Sequence, residues 1–207
     1  MNTESKTILE FTQELASSSP APGGGGAAAI AAALAASLCS MAGSLTVGKK
    51  KFIPVEDDIR KIISRCSRLS STLIGLADKD EEVFLPLSKA YSLPKDTPNR
   101  DRILYEASMT ACTAAEEIMN CCCEIVQLLE EMFEIGSRMM ISDVGCGALL
   151  CASALEAASL NIYVNTKSFR GIEEADALEK RVSAMLEEYL PRARSVSDAV
   201  MKELKGE

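Results

Sequence analysis

The 207-residue chain contains no histidine and no tryptophan, and aromatic residues make up only 4% of it. Without histidine, Ser-His and Cys-His nucleophile pairs, histidine-ligated metals and the commonest general base near neutral pH are excluded. Acid–base chemistry is left to carboxylates, Lys, Tyr, Cys and bound water. With so few aromatics against 47% hydrophobic residues, the core must be built from Ala, Leu, Ile, Val, Met and Cys, a composition that favours helices over strands. No segment reads as a strand of useful length, and no internal repeat is visible.

Positive charge is also scarce: 22 basic residues face 30 acidic ones, a net charge of -8. Such a field repels phosphate backbones and anionic lipid surfaces, so nucleic acid and membrane are not expected partners. Of the eight cysteines, Cys121, Cys122 and Cys123 are adjacent, which on a helix turns successive side chains by about 100°. None sits in a paired CxxC arrangement and no secretory signal opens the chain. The cysteines therefore read as reduced core thiols of a cytoplasmic protein, and no metal site is expected.

The length fits one domain over residues 1–207. An amphipathic segment, Thr3 to Ala16, capped by Thr3 or Ser5, is followed by the breaker Ser17 to Gly26, whose prolines and glycines are not expected to continue a helix. Gly23 to Gly48 carries no charge and is long enough to ask whether it spans a membrane. It is mostly Ala, interspersed with Ser37, Ser40, Ser44 and Thr46, so it reads as a buried central helix. From Glu56 to Ala90, Ile59, Ile62, Cys66, Leu69, Leu73, Leu76, Asp80, Val83 and Leu87 alternate spacings of three and four, the seam of a packed helix. A second seam runs from Leu104 through Ala107, Ala111, Ala114, Ile118, Cys122 and Ile125 to Leu129. Ser142 and Asp143 stand as N-cap and first-turn acid of a third buried helix reaching Val164. The last helix, Glu173 to Leu204, faces Leu178, Val182, Met185, Tyr189, Val196 and Val200 inward, and Pro191 is expected to kink it. The fold class is all-α: an antiparallel bundle of about five to six helices around an Ala-rich central one.

Four features can carry chemistry. Asp80 is a carboxylate in an apolar seam. It is paired with a cation, held by several donors or protonated with a raised pKa, unless the seam rotates and leaves it exposed. Pro22 to Gly26 precedes a helix whose free N–H groups attract anions or carbonyl oxygens, yet it follows no strand and lacks P-loop spacing, so a plain connection is the alternative. Lys49, Lys50 and Lys51 suit a helix C-terminus electrostatically, and equally an anionic substrate tail. Asn161 and Asn165, four apart on an apolar helix, share a face and either bond between helices or read a polar heterocycle.

Pro22-Gly23-Gly24-Gly25, the Ala-rich helix with Ser40-Met41, and Leu45-Thr46-Val47-Gly48-Lys49-Lys50 together resemble the formiminotetrahydrofolate cyclodeaminase and methenyltetrahydrofolate cyclohydrolase family. Asp78-Lys79-Asp80 with Phe84, the loop Leu93 to Pro98, Ser142-Asp143 and the Asn161/Asn165 pair extend the resemblance over nearly the whole chain. The resemblance implies a helical homodimer acting on a tetrahydrofolate derivative, with no permanently bound cofactor and no metal. It assigns Asp80 as the proton acceptor, a residue that periodicity also singles out. It further implies a pocket shaped by Pro22, Gly23, Gly24 and Gly25 with Ser40 nearby. The pterin would be read by Asp143, Asn161 and Asn165, and the glutamate tail drawn by Lys49 and Lys50. Bifunctional members carry a formiminotransferase domain for which a chain of this length has no room. The activity expected is cyclodeamination of 5-formiminotetrahydrofolate or hydrolysis of 5,10-methenyltetrahydrofolate. The alternative of another class is a non-enzymatic helical module that binds an anion or a partner helix.

Overall fold

The computed structural model describes residues 3–207, and all regular structure among them is helical. After a 3₁₀ turn at Thr3–Ser5 come α1 (Ile8–Leu15), α2 (Gly24–Ser44), a 3₁₀ segment (Lys50–Val55), α3 (Glu56–Tyr91), α4 (Arg100–Ile135), a 3₁₀ turn (Arg138–Met140), α5 (Ile141–Thr166) and α6 (Glu173–Lys205). Helix α2 lies between α3 and α5, α6 flanks α5, and α4 touches all four. Gly24 lies against Asn161 while Gly147 lies against Ala35 and Leu38. Helices α2 and α5 are therefore antiparallel, with the start of one beside the end of the other.

The α3 seam is buried at Ile59, Ile62, Cys66, Leu69, Leu73, Leu76 and Leu87, and half-buried at Asp80 and Val83. The α4 seam is buried from Ala111 to Leu129 at its expected positions, with Leu104 and Ala107 half-buried. In α6, Leu178, Val182, Val196 and Val200 are buried, and the helix runs on through an exposed Pro191. Fully buried Thr46 donates to the Ala42 carbonyl (2.7 Å) and accepts the Ser137 N–H (3.1 Å), tying the end of α2 to the α4–α5 connection.

Three local expectations are corrected. The N-terminal helix starts at Ile8, because Thr7 and Glu10 form a reciprocal capping box that satisfies its first turn. Gly24, Gly25 and Gly26 are the first turn of α2 rather than part of the breaker. Ser142 lies inside α5, whose N-cap is Met140, because a 3₁₀ turn already leads into the helix. Asp143 keeps its first-turn place.

All eight cysteines are free thiols; Cys146 is exposed, Cys121 half-buried and the rest buried. Two helical stretches, Gly24–Ser44 and Arg138–Thr166, are long and apolar enough to cross a membrane, and about half of each is buried within the bundle. Their outer faces are largely apolar: Leu34 and Met41 on α2, Leu45 just after it, and Leu149, Leu160 and Val164 on α5 are exposed. The other helices carry most of the charge, linked by Arg65–Glu124, Lys79–Glu117, Arg181–Glu116 and Arg192–Glu130 pairs.

Candidate active site

Helix α3 passes the start of α2 so that Asp80 meets Gly25 and Gly26. Its Oδ2 accepts the Gly26 N–H at 3.1 Å, one of the donors that a helix N-terminus leaves unpaired. A Cβ built on Gly25 would stand 2.1 Å from Asp80 Oδ1 and 2.4 Å from Cγ, so only glycine admits the carboxylate at that depth. On the other side, a Cβ at Gly24 would stand 3.3 Å from Asn161 Oδ1. Asn161 is oriented by its own helix, donating from Nδ2 to the Ala157 carbonyl at 2.9 Å.

These groups enclose a cavity of about 140 Å³. Pro20, Ala21, Gly23 and Gly24 form one wall, Asp80 and Phe84 come from α3, Ala111 from α4, and Asn161, Val164 and Asn165 from α5. Phe84 and Asn165 each lie one turn beyond Asp80 and Asn161, so each helix contributes two side chains from one face. Behind the wall, the Asn165 side chain meets the Cys112 thiol, which burial pushes up to about 12.

Burial raises the Asp80 carboxyl above its ordinary range, and the Gly26 N–H pulls it partly back. Among the described residues no cation pairs with it. Of the arrangements open to a seam carboxylate, the structure thus gives one backbone donor and incomplete solvation. That is the setting of a group able to take up and release a proton closer to neutral pH than a surface aspartate. Among the described residues no three His, Cys, Asp or Glu side chains are placed to hold a metal ion.

The residues singled out from the sequence divide into two groups. Asp80, Gly23, Gly24, Gly25, Asn161 and Asn165 converge here, and buried Pro22 supports the wall against Gly26. Ser40, Lys49, Lys50 and Asp143 do not. Helix α2 has 21 residues and is about 30 Å long, so Lys49 and Lys50, which open the 3₁₀ segment after it, lie beyond its far end, with Ser40 in its last turns. Asp143, in the first turn of antiparallel α5, lies at that far end too. Pro20, Ala21, Ala111 and Val164 are lining residues without a sequence signal, whereas Phe84 had one in its i+4 spacing from Asp80.

The sequence model of the formiminotransferase-cyclodeaminase family matches residues 7–184. The methenyltetrahydrofolate cyclohydrolase of Methylorubrum extorquens is 36% identical over 205 residues, covering 97% of both chains. The formimidoyltransferase-cyclodeaminase of Rattus norvegicus is 30% identical over 194 residues, 92% of this chain but 36% of that protein, so the chain spans about a third of its length. The crystal structure of formiminotetrahydrofolate cyclodeaminase from Thermotoga maritima superimposes with a TM-score of 0.83 at 26% identity, covering 98% of each chain.

Proposed function

The chain belongs to the formiminotransferase-cyclodeaminase family, and from that premise we propose that it is a folate one-carbon enzyme working at the N5/N10 bridge of tetrahydrofolate. It converts 5-formiminotetrahydrofolate to 5,10-methenyltetrahydrofolate and ammonia. The observation that carries this reading is the half-buried, cation-free Asp80 carboxylate set against the glycine start of α2.

In cyclodeamination N10 attacks the carbon of the protonated formimino group. Asp80 takes the proton that N10 sheds and returns it to the nitrogen that leaves as ammonia, so one carboxyl group serves both halves of the reaction. Asn161 and Asn165 present amides to the pterin edge, and the Gly23–Gly25 backbone lets the bridge approach Asp80. A cavity of about 140 Å³ is smaller than the roughly 300–1,000 Å³ of a complete ligand site. It holds the bridge region while the rest of the substrate lies outside it.

A second reading is favoured by the relative that matches end to end, which is named a cyclohydrolase. Water then attacks the methenyl carbon, and Asp80 takes one of its protons and passes it to N5 as the bond from N5 to that carbon breaks. The remaining hydroxyl proton is released to solvent as the formyl C=O forms, leaving 10-formyltetrahydrofolate. Offering the purified protein each folate separately decides the matter. Appearance of methenyl absorbance with ammonia supports the deaminase, accelerated loss of that absorbance supports the hydrolase, and neither would return the protein to a binding module. We read the enzyme as free of bound cofactor and metal, so activity should survive EDTA; loss that zinc restores would overturn this.

We read the protein as a soluble cytoplasmic homodimer. The support for the dimer is the uncharged outer face of α2, continued on α5 by Leu149, Leu160 and Val164. The one acid midway along α5, Glu156, is paired with Arg194 of α6. Packing that face against a second copy in two-fold fashion would set the far end of one α2 beside the start of the other. Lys49, Lys50, Ser40 and Asp143 then have access to a folate seated at the partner's pocket, which they lack within one chain.

A further inference from the structure

Two residues before Asp80 on α3, Asp78 makes contacts that the proton-transfer chemistry leaves unused. Its Oδ1 and Oδ2 each accept the Thr3 N–H at 3.0 Å, and Oδ1 also accepts the Thr3 hydroxyl at 2.5 Å. Side chains two apart on a helix point to different sides, so Asp78 does not enter the cavity and is not among its lining residues. It holds the outer end of the segment whose inner end forms the cavity wall.

That segment is tied internally. Lys6, its side chain largely buried, pairs with Glu14, linking the first turn to the end of α1. Phe11 is the buried residue of α1, and its ring edge reaches Gly26: a Cβ there would lie 4.0 Å from Phe11 Cζ and 3.5 Å from Pro22 Cβ. Gly26 is the residue whose N–H holds Asp80. Helix α3 thus holds the outer end of this strap through Asp78 at Thr3, and just past its inner end it holds the first turn of α2 through Asp80 at Gly26. Between the two contacts, Pro20 and Ala21 line the cavity that Asp80 faces.

We propose that Asp78 is a positioning residue for Asp80: by fastening Thr3 to α3 it keeps the Thr3–Gly23 strap closed over the start of α2 and keeps water away from the reacting carboxylate. The proposal rests on Asp80 being the proton-transfer group. Charged neighbours do not supply an alternative control. On α3, Lys79 is engaged by Glu117 of α4, and neither Glu81 nor Glu82 lines the cavity. Helix α2 carries no charge, Cys112 of α4 faces Asn165, and α5 offers only amides at this end.

The test compares Asp78→Ala, Asp78→Asn, which keeps an oxygen acceptor for Thr3, and the milder Thr3→Val, which removes only the hydroxyl. The first readout needs no substrate: hydrogen exchange at the Gly26 amide, which the closed strap and Asp80 protect. Asp78→Ala should speed it about tenfold or more, Thr3→Val by less, and Asp78→Asn should recover most of the protection. The second readout is the pH profile of kcat on whichever folate the wild type turns over. A wetter Asp80 loses part of its burial-driven rise, so the acidic limb moves to lower pH in Asp78→Ala while KM changes little. If Asp78→Ala fails to fold, Thr3→Val carries the same comparison. Unchanged Gly26 exchange in a folded variant overturns the strap. Faster exchange with an unmoved acidic limb overturns its action on Asp80. A wild type inactive on both folates defeats the functional reading instead, and leaves the exchange result to judge the strap by itself.

Discussion

Gly25→Ala is the sharpest perturbation of the proposed chemistry, because it touches the carboxylate without altering it. The new methyl carbon would sit 2.1 Å from Asp80 Oδ1, 2.4 Å from Cγ and 2.5 Å from Oδ2. Non-bonded carbon and oxygen atoms pack at about 3.5 Å, so the whole carboxylate must retreat by more than about 1 Å. An aspartate has one carbon between backbone and carboxyl and cannot absorb this at its tip alone. Its bond to the Gly26 N–H, about 1.5–3 kcal/mol for a charged acceptor, is stretched or lost. Two terms oppose that loss: alanine is favoured over glycine in a helix by about 0.5–1 kcal/mol, and the displaced carboxylate regains water. Stability should therefore change by less than about 2 kcal/mol. A displacement of that size at a reacting group costs about 10²-fold in rate, or about 2.7 kcal/mol of barrier.

The assay is kcat on the accepted folate beside the melting temperature of the same preparation. Gly24→Ala is the control, since its methyl meets Asn161 at a tolerable 3.3 Å and should cost only a few-fold. Combining Gly25→Ala with Asp80→Asn should cost little beyond the larger single effect, because both act on one proton transfer. A Gly25→Ala enzyme within about threefold of wild type, well below the roughly 10²-fold expected, would refute the requirement for a carboxylate at that depth.

Asp80→Asn preserves shape but cannot take a proton, so kcat should fall about 10²- to 10⁴-fold with the fold intact. Because burial raises the folded-state pKa of Asp80, the folded protein holds the proton more tightly than the unfolded chain. The cost to stability appears as pH rises from the ordinary carboxylate range through the raised value. The melting-temperature gain of Asp80→Asn should accordingly be larger at neutral pH than near pH 4, and a gain independent of pH would contradict the assignment. Leu160→Glu, a charge on the exposed apolar face of α5, should convert a dimer to monomer in sedimentation. An unaltered mass would remove that face from the interface. Replacing Lys49 and Lys50 by Gln should raise KM, most of all for polyglutamylated folate, and only in a dimeric protein. An unchanged KM at low salt would leave both lysines without a part in substrate binding.

The α3 seam was legible because a helix buried along one side over 36 residues writes a three-four spacing that local exceptions do not hide. The same periodicity picked out Asp80, since a charge in that row has to be explained. What the pattern could not reveal was why glycines precede the Ala-rich stretch. Propensity counts three successive glycines as a break, yet they form the first turn of α2, because the Asp80 carboxylate packs where the Gly25 side chain would be and Asn161 packs against Gly24. Tertiary contact between residues 55 apart overrides local preference there. Thr3 and Asp78 are likewise 75 apart; Thr3 stood out only as a cap and Asp78 only beside Asp80 in a motif, and neither signal pointed to the other.

Resemblance along the chain had the opposite weakness. It gathered Ser40, Lys49, Lys50 and Asp143 into one site with Asp80, although shared motifs carry no information about which end of a bundle a residue occupies. Antiparallel packing of α2 and α5 sends these four to the far end. The glycine turn, Asp80 and the asparagine pair stay together because α3 and the end of α5 both reach the start of α2. The motif residues therefore need not act at one place in one chain. A folate bridge at Asp80 requires only the near group, and the far group becomes relevant to catalysis only if a second copy lies along the uncharged face that joins the two ends. On this argument the lysine substitutions and Leu160→Glu should fail together or not at all: a monomeric Leu160→Glu enzyme that retains normal KM for polyglutamylated folate would confine the site to the residues around Asp80.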